Sequence, residues 1–296
     1  MTFQKLKTDL FIAFARLIAQ LPLPVILSLG KNIGRLTYLI PNKRKKIAGR
    51  NIDLCFSELS SAQQKKLVKA NLISTGVGFA EMILAYWSRN DKFNHRFEIL
   101  GLEYVEEALA KNRGCILMSC HLHAMELATR VINNKLDEPS FILGRQHNNK
   151  VFEAYIDKAR RAHCEKTIDK KDLRSVLKAL KKNRCIFYIP DQNFSYQCEY
   201  IEFFKQPAAT VIAPVRIAQS SGASVVSWFC FRDKNKWKIQ FLPALEYFHQ
   251  KDISASLLKM NQLFEQQIKK HPEQYLWVHR RFKNHPKGKN FLYKDL

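Results

Sequence analysis

His121 and Glu126, in the stretch Gly114-Cys-Ile-Leu-Met-Ser-Cys-His-Leu-His-Ala-Met-Glu126, are an imidazole and a carboxylate five positions apart. Gly114–Cys120 is a short apolar run with the character of a buried strand, and the chain from Leu122 onward has that of a helix. The two residues therefore fall where a strand gives way to a helix, the junction at which α/β sheets collect ligand sites. On one regular helix a spacing of five sets side chains roughly 140° apart. With His121 in the turn and Glu126 in the first helical turns, the carboxylate can instead reach back and orient the ring as a general-base dyad. His123 offers a rival use, in which His121, His123 and Glu126 would be metal ligands. No second His/Cys/Asp cluster with ligand spacing supports that use, and no metal or cofactor is expected.

Three other segments bring polar groups to the same place. Phe141-Ile-Leu-Gly-Arg145 sets a guanidinium directly after an apolar run, and Cys185-Ile-Phe-Tyr-Ile-Pro-Asp191 delivers a carboxylate at the end of another. Pro272-Glu-Gln-Tyr-Leu-Trp-Val-His-Arg280-Arg281-Phe-Lys283 adds two guanidinium forks of the shape that grips phosphate in bidentate fashion. Arg145, Asp191, Arg280 and Arg281 are the expected substrate-binding residues.

The elements that must position these groups follow from periodicity. Residues 60–87 have a helical pattern with Ser60 or Ser61 as N-cap and a buried stripe of Leu67, Leu72, Phe79, Met82 and Ile83. Helices are expected over 105–111, 123–133, 149–163, 172–182, 208–220 and 254–270. Strands are expected over 114–120, 140–143, 185–189, 223–231 and 237–242, with a long loop over 190–207. Strands alternating with helices predict an α/β fold with a mixed, largely parallel sheet flanked by helices. Leu10–Leu29 is apolar but carries Arg16, Gln20, Pro22 and Pro24, and it lacks a small-residue cleavage site. It predicts a membrane-associated helical segment, either one spanning helix with defects or amphipathic helices lying in the headgroup layer. Residues 1–42 would form this anchor and residues 43–296 the catalytic domain.

The net charge of +23 calls for anionic partners. Basic residues concentrate at 43–50, 158–161, 170–182 and 280–289. They lack the interleaved exposed aromatics of a single-strand platform, so nucleic acid is not an expected partner. Seven scattered cysteines without a CxxC pair exclude a disulfide framework and a zinc ribbon, and they point to a reducing, cytoplasm-facing site.

In several stretches the chain resembles the late acyltransferases of lipid A biosynthesis, the lauroyl/myristoyl type of the lysophospholipid-acyltransferase-like superfamily. The stretches are Lys46-Ile-Ala-Gly-Arg-Asn-Ile-Asp-Leu-Cys-Phe56, His121 to Glu126, Asp169-Lys-Lys-Asp-Leu173, Lys178 to Lys182, Pro190-Asp191 and Pro272 to Lys283. They occur in the family's order over nearly the whole chain. The resemblance implies a glycerolipid-acyltransferase-like fold and an inner-membrane enzyme facing the cytoplasm. It also implies transfer of a fatty acyl chain from acyl carrier protein to a hydroxyl on a Kdo-bearing lipid A precursor, with His121 and Glu126 as the dyad. A related acyltransferase using a lysophospholipid or another glycolipid is the alternative. Family members often have Arg-Pro where this chain has Arg145-Gln146, and an acidic residue where it has Asn193.

Overall fold

The computed structural model describes residues 3–89, 93–144 and 148–296. Four helices come first: α1 (Phe3–Ile18), α2 (Leu23–Leu39), α3 (Lys43–Cys55) and α4 (Ser61–Trp87). Ser60 caps α4 as expected, its hydroxyl accepting from Gln63 N while the Gln63 side chain accepts from Ser60 N. There follow β1 (Phe97–Leu100), α5 (Glu103–Ala110), β2 (Cys115–Met118), α6 (Met125–Asn133), β3 (Phe141–Gly144), α7 (Lys150–Arg160), β4 (Lys166–Asp169), α8 (Leu173–Lys181) and β5 (Cys185–Tyr188). The last third contains β6 (Cys198–Phe203), β7 (Gln206–Val211), α9 (Ala213–Ser221), β8 (Ser224–Asp233), β9 (Lys236–Ala244) and α10 (Ile253–Lys270).

Seven strands form one sheet in the order β1-β9-β8-β2-β5-β3-β4, and every pairing is parallel except β8 with β9. All four residues of β2 and of β5 are buried, because helices cover both faces. Their side chains alternate between two cores. Ile116, Met118, Ile186 and Tyr188 enter one, and Cys115, Leu117, Cys185 and Phe187 enter the other. The mixed, largely parallel α/β sheet expected from the sequence is the sheet observed.

The expectation differs from the structure at 190–220. Residues 198–211 are not a loop leading into a helix but the β6/β7 hairpin, and α9 begins only at Ala213. The turn is Phe204-Lys205, with φ of +49° and +59°, values that Asn-Gly usually supplies. Glu199, Glu202 and Pro207 further disguise the strands. β1, β4 and α3 carry no strong sequence signal either. In α4, Phe79 is exposed rather than part of the buried stripe.

α4 is long and apolar enough to cross a bilayer, yet most of it is packed inside the protein. Its Glu81 is fully buried, accepting from Trp237 Nε1 at 2.6 Å and pairing with Arg232 at 2.7 Å. α1 and α2 are separate helices broken at Leu21–Pro22, each shorter than the ~20 residues a span requires. α2 crosses α4 with backbones almost touching at Gly30, Gly34 and Gly76: a Cβ on Gly34 would lie 2.5 Å from Ile73 Cα. The outer faces of α1 and α2 leave Leu10, Phe14, Leu17, Val25, Leu29, Ile33, Leu36 and Leu39 exposed.

Candidate active site

β2 and β5 are parallel neighbours with Met118 opposite Tyr188. His121 and Asp191 each lie three residues beyond that pair, so they emerge level at the carboxyl edge of the sheet. Asp191 grips the histidine twice. One carboxylate oxygen accepts from the His121 backbone N–H at 2.9 Å, and the other pairs with Nδ1. Asp191 is 2% exposed. Burial alone would push its carboxyl up, but the His121 ring, with hydrogen bonds from His121 and Tyr275, outweighs burial and holds it at about 2. An ionised carboxylate on Nδ1 makes Nδ1 the protonated nitrogen and leaves the Nε2 lone pair as acceptor. The Gln192 amide nitrogen, 3.1 Å away, donates to it.

The turn bearing His121 is fixed on its other sides. Leu276 N donates to His121 O at 3.0 Å and His123 N donates to Gln274 O at 2.9 Å, so residues 274–276 act as a splint along the turn. His123 is half-buried and bonds Ser74 and Thr75 of α4 (2.8 and 3.2 Å), and Ser74 also accepts from Arg232 at 2.8 Å. Burial, with the Arg232 charge, lowers His123 to about 3, so it is a neutral structural ring. His121, His123 and Glu126 therefore have three different sets of partners, and no candidate metal cluster occurs among the described residues.

Glu126 does not hold His121. It stands on the first turn of α6 and pairs with Arg160 of α7, which also donates to the Tyr86 hydroxyl at 3.2 Å. Burial works against the Arg160 charge, but Glu126 and Tyr86 outweigh it and raise the group above its ordinary value. The sequence expectation of a His121–Glu126 contact is corrected: a helix that begins only at Met125 leaves the carboxylate nearer the guanidinium of α7, while the sheet register presents Asp191 to the ring.

His121, Glu126 and Arg160 nonetheless line one cavity of about 410 Å3, within the ordinary range for small-molecule sites. Ile142, Leu143, Phe187 and Tyr188 make an apolar wall, and Lys170, Gln192, Asn193 and His279 are among the other lining residues. Lys170 lies over the rings of Phe194 and Tyr196 at 4.8 and 5.3 Å. Burial and the His121 charge are foremost in lowering His279 to about 4. Phe187 is backed by Trp228, edge-on at 5.5 Å, so Trp228 belongs to the core behind the wall.

The remaining expected site residues have other duties. Arg145 lies outside the described residues. Arg281 is 1% exposed and donates to Ala209 O at 2.8 Å and the Thr210 hydroxyl at 3.0 Å, tying the β6/β7 hairpin to the C-terminal segment. Arg280 reaches Asn290 and the Leu296 carbonyl. Neither guanidinium lines the cavity: Arg281 is spent on β7 and Arg280 on the C-terminal segment. Asn193, where an acidic residue is common in the resembling family, accepts from Asn284 N at 2.8 Å and so fixes the loop after Asp191. Arg160 belongs to the basic run 158–161 marked in the sequence and does line the cavity, whereas no local motif marks Gln192 or His279 as site residues. The equal offsets of His121 and Asp191 from the apolar runs Cys115–Met118 and Cys185–Tyr188 were visible in the sequence.

A half-buried imidazole held by an ionised carboxylate, beside a lysine and an apolar wall, suits transfer of a group with an apolar tail to a hydroxyl. Comparison with known proteins gives the same direction. Residues 2–284 match the sequence model of the bacterial lipid A biosynthesis acyltransferases. The lipid A biosynthesis lauroyltransferase of Escherichia coli (strain K12) is 32% identical over 276 residues, which is 92% of this chain and 90% of that one. The palmitoleoyltransferase of the same organism is 30% identical over 278 residues (93% and 90%), and its myristoyltransferase 24% over 275 residues (92% and 84%). With both the chemistry and the match running through nearly the whole chain, this protein belongs to the bacterial lipid A biosynthesis acyltransferase family and is an O-acyltransferase of lipid A biosynthesis.

Proposed function

We propose that the protein moves a fatty acyl chain from an acyl carrier protein thioester to a hydroxyl on an acyl chain of a Kdo-bearing lipid A precursor, with His121 as general base. The observation that carries this is the Asp191–His121–Gln192 arrangement at the cavity. Nδ1 is fixed as donor to Asp191, so Nε2 can take a proton. In the free enzyme that lone pair is covered by the Gln192 amide, which the acceptor hydroxyl displaces. As the hydroxyl oxygen attacks the thioester carbonyl, its proton passes to Nε2. When the C–S bond breaks, the departing thiolate takes that proton from the imidazolium. Asp191 stabilises the imidazolium in between.

Glu126 acts on this reading through Arg160: it holds the guanidinium on the cavity wall, where with Lys170 it faces oxygens of the donor or acceptor. The backbone N–H groups of His121, Leu122 and His123 are already bonded to Asp191, Cys120 O and Gln274 O, so charge on the thioester oxygen falls to these side chains and to the displaced Gln192 amide. Cys120 is fully buried, and burial followed by the Asp191 charge pushes its thiol well up, which favours direct transfer over a covalent acyl-enzyme.

The anchor at residues 1–42 fits helices lying in the headgroup layer of the inner membrane, apolar faces down and the basic start of α3 beside them on the cytoplasmic side. All seven cysteines are free thiols, in keeping with that compartment. The test is product mass analysis with purified enzyme, a tetra-acylated Kdo-lipid A precursor and acyl carrier protein thioesters. The expected result is a gain of one acyl group, lost in His121→Ala. Turnover confined to a lysophospholipid or a different glycolipid would overturn the acceptor assignment while keeping the chemistry.

A further inference from the structure

A second concavity of about 600 Å3 lies between the end of α2, the exposed side of α3 and the start of α4. Tyr38, Pro41, Gly49 and Val68 are among its lining, and Lys45, Lys46 and Lys65 supply cationic groups against a single acid, Asp53. Lys45 Nζ donates to Tyr38 O at 2.7 Å and lies 4.3 Å from the centre of the Tyr38 ring, which fixes its ammonium at the groove. Lys46 and Lys65 are exposed and have no ion-pair partner among the described residues. Nothing in the acyl-transfer cavity uses these residues.

We propose that this groove is a binding site for the phosphate-bearing headgroup of an anionic phospholipid, distinct from the sites of donor and acceptor. Position and charge both select that occupant. The exposed apolar row of α2, Val25, Leu29, Ile33 and Leu36, ends in Leu39 and Ile40 (72% and 51% exposed), and Pro41 and Asn42 of the groove follow at once in the chain. A lipid whose acyl chains lie along that row brings its phosphate to the lysines and its glycerol against Tyr38 and Pro41. An acidic protein docked on the same lysines would have to cover Leu36, Leu39 and Ile40 as well, and a free phosphate would leave them in water. Bound this way, one headgroup fixes the tilt of α2, and through the α2–α4 crossing it sets how the catalytic body sits on the membrane. The inference rests on the reading that α1 and α2 lie in the headgroup layer.

The experiment is flotation of the full-length protein with vesicles of phosphatidylcholine alone and of phosphatidylcholine with phosphatidylglycerol. The wild type is expected to prefer the anionic vesicles, and Lys46→Gln/Lys65→Gln to lower that preference by roughly tenfold while still binding neutral vesicles. Lys178→Gln/Lys181→Gln on α8 removes the same charge elsewhere and is expected to leave the preference in place. Gly49→Leu tests the groove without touching charge: a Cβ there meets nothing within 4 Å, so the larger side chain fills empty space and is expected to abolish the preference. Equal loss in the two lysine pairs, or full preference in Gly49→Leu, overturns the headgroup site. A groove variant that raises KM for the acyl carrier protein thioester in detergent, with vesicle preference intact, overturns it in favour of a protein partner. Phe14→Glu/Leu17→Glu reports on the underlying reading: if it binds all vesicles as the wild type does, membrane docking through α1 and α2 is itself wrong.

Discussion

Glu126 lines the cavity and Asp191 is buried against His121, and their partners separate the roles of the two carboxylates. Asp191→Asn keeps the size of the side chain but permits the wrong imidazole tautomer, so kcat is expected to fall about 10²–10⁴-fold with the fold intact. Glu126→Gln leaves the His121–Asp191 pair untouched and frees Arg160. It is expected to alter KM as well as kcat, and steady-state kinetics on both variants check the difference. An unchanged kcat in Asp191→Asn would leave the tautomer assignment without support. The sequence exposed both carboxylates but not their pairing. The His121-to-Glu126 spacing suggests a contact on its own, whereas the competing distances, from β5 to β2 and from α7 to α6, exist only once the sheet is assembled.

Elements with a strong period were legible and the others were not. β2, β5, β8, β9, α4 and α10 announce themselves by apolar runs or caps, and with them came the α/β class and the edge that carries the site. The β6/β7 hairpin did not, because its turn takes φ > 0 without glycine and its strands carry acids and proline. The α2–α4 crossing was legible in principle, since Gly30-Lys-Asn-Ile-Gly34 is a small-residue pair one turn apart. Gly34→Ala places a methyl 2.5 Å from the Ile73 backbone and the Leu72 carbonyl. It is expected to cost about 1–3 kcal/mol and a few degrees of Tm, seen by thermal unfolding. Gly49→Ala, on the open side of α3, serves as the control and should leave Tm the same or slightly higher.

For the molecule as a whole, two half-buried histidines contribute to the acid side of stability. His123 and His279 lie at about 3 and about 4 against 6.5 for a free ring, so between those values the unfolded chain binds more protons than the folded one. Stability is therefore full above about pH 6.5 and falls as pH drops, with His279 ceasing to contribute near 4 and His123 near 3. Urea unfolding at pH 7 and pH 5 is expected to show a loss of order 1–2 kcal/mol for each ring, from about 1.4 kcal/mol per pH unit. His123→Gln, which can still bond Ser74 and Thr75, should shrink that difference; an unchanged slope would show that His123 takes up its proton as readily in the folded chain as in the unfolded one.

The central claim is that Asp191 works through His121, and a double-mutant cycle in kcat tests it most directly. The acyl-transfer rate would be measured for the wild type, Asp191→Asn, His121→Ala and the double variant, with far-UV circular dichroism to confirm folding. If the carboxylate acts only by holding and stabilising the imidazole, the double variant will be no slower than His121→Ala. A further large drop in the double variant, with the two losses multiplying, would mean that Asp191 acts independently of the base and would contradict the account.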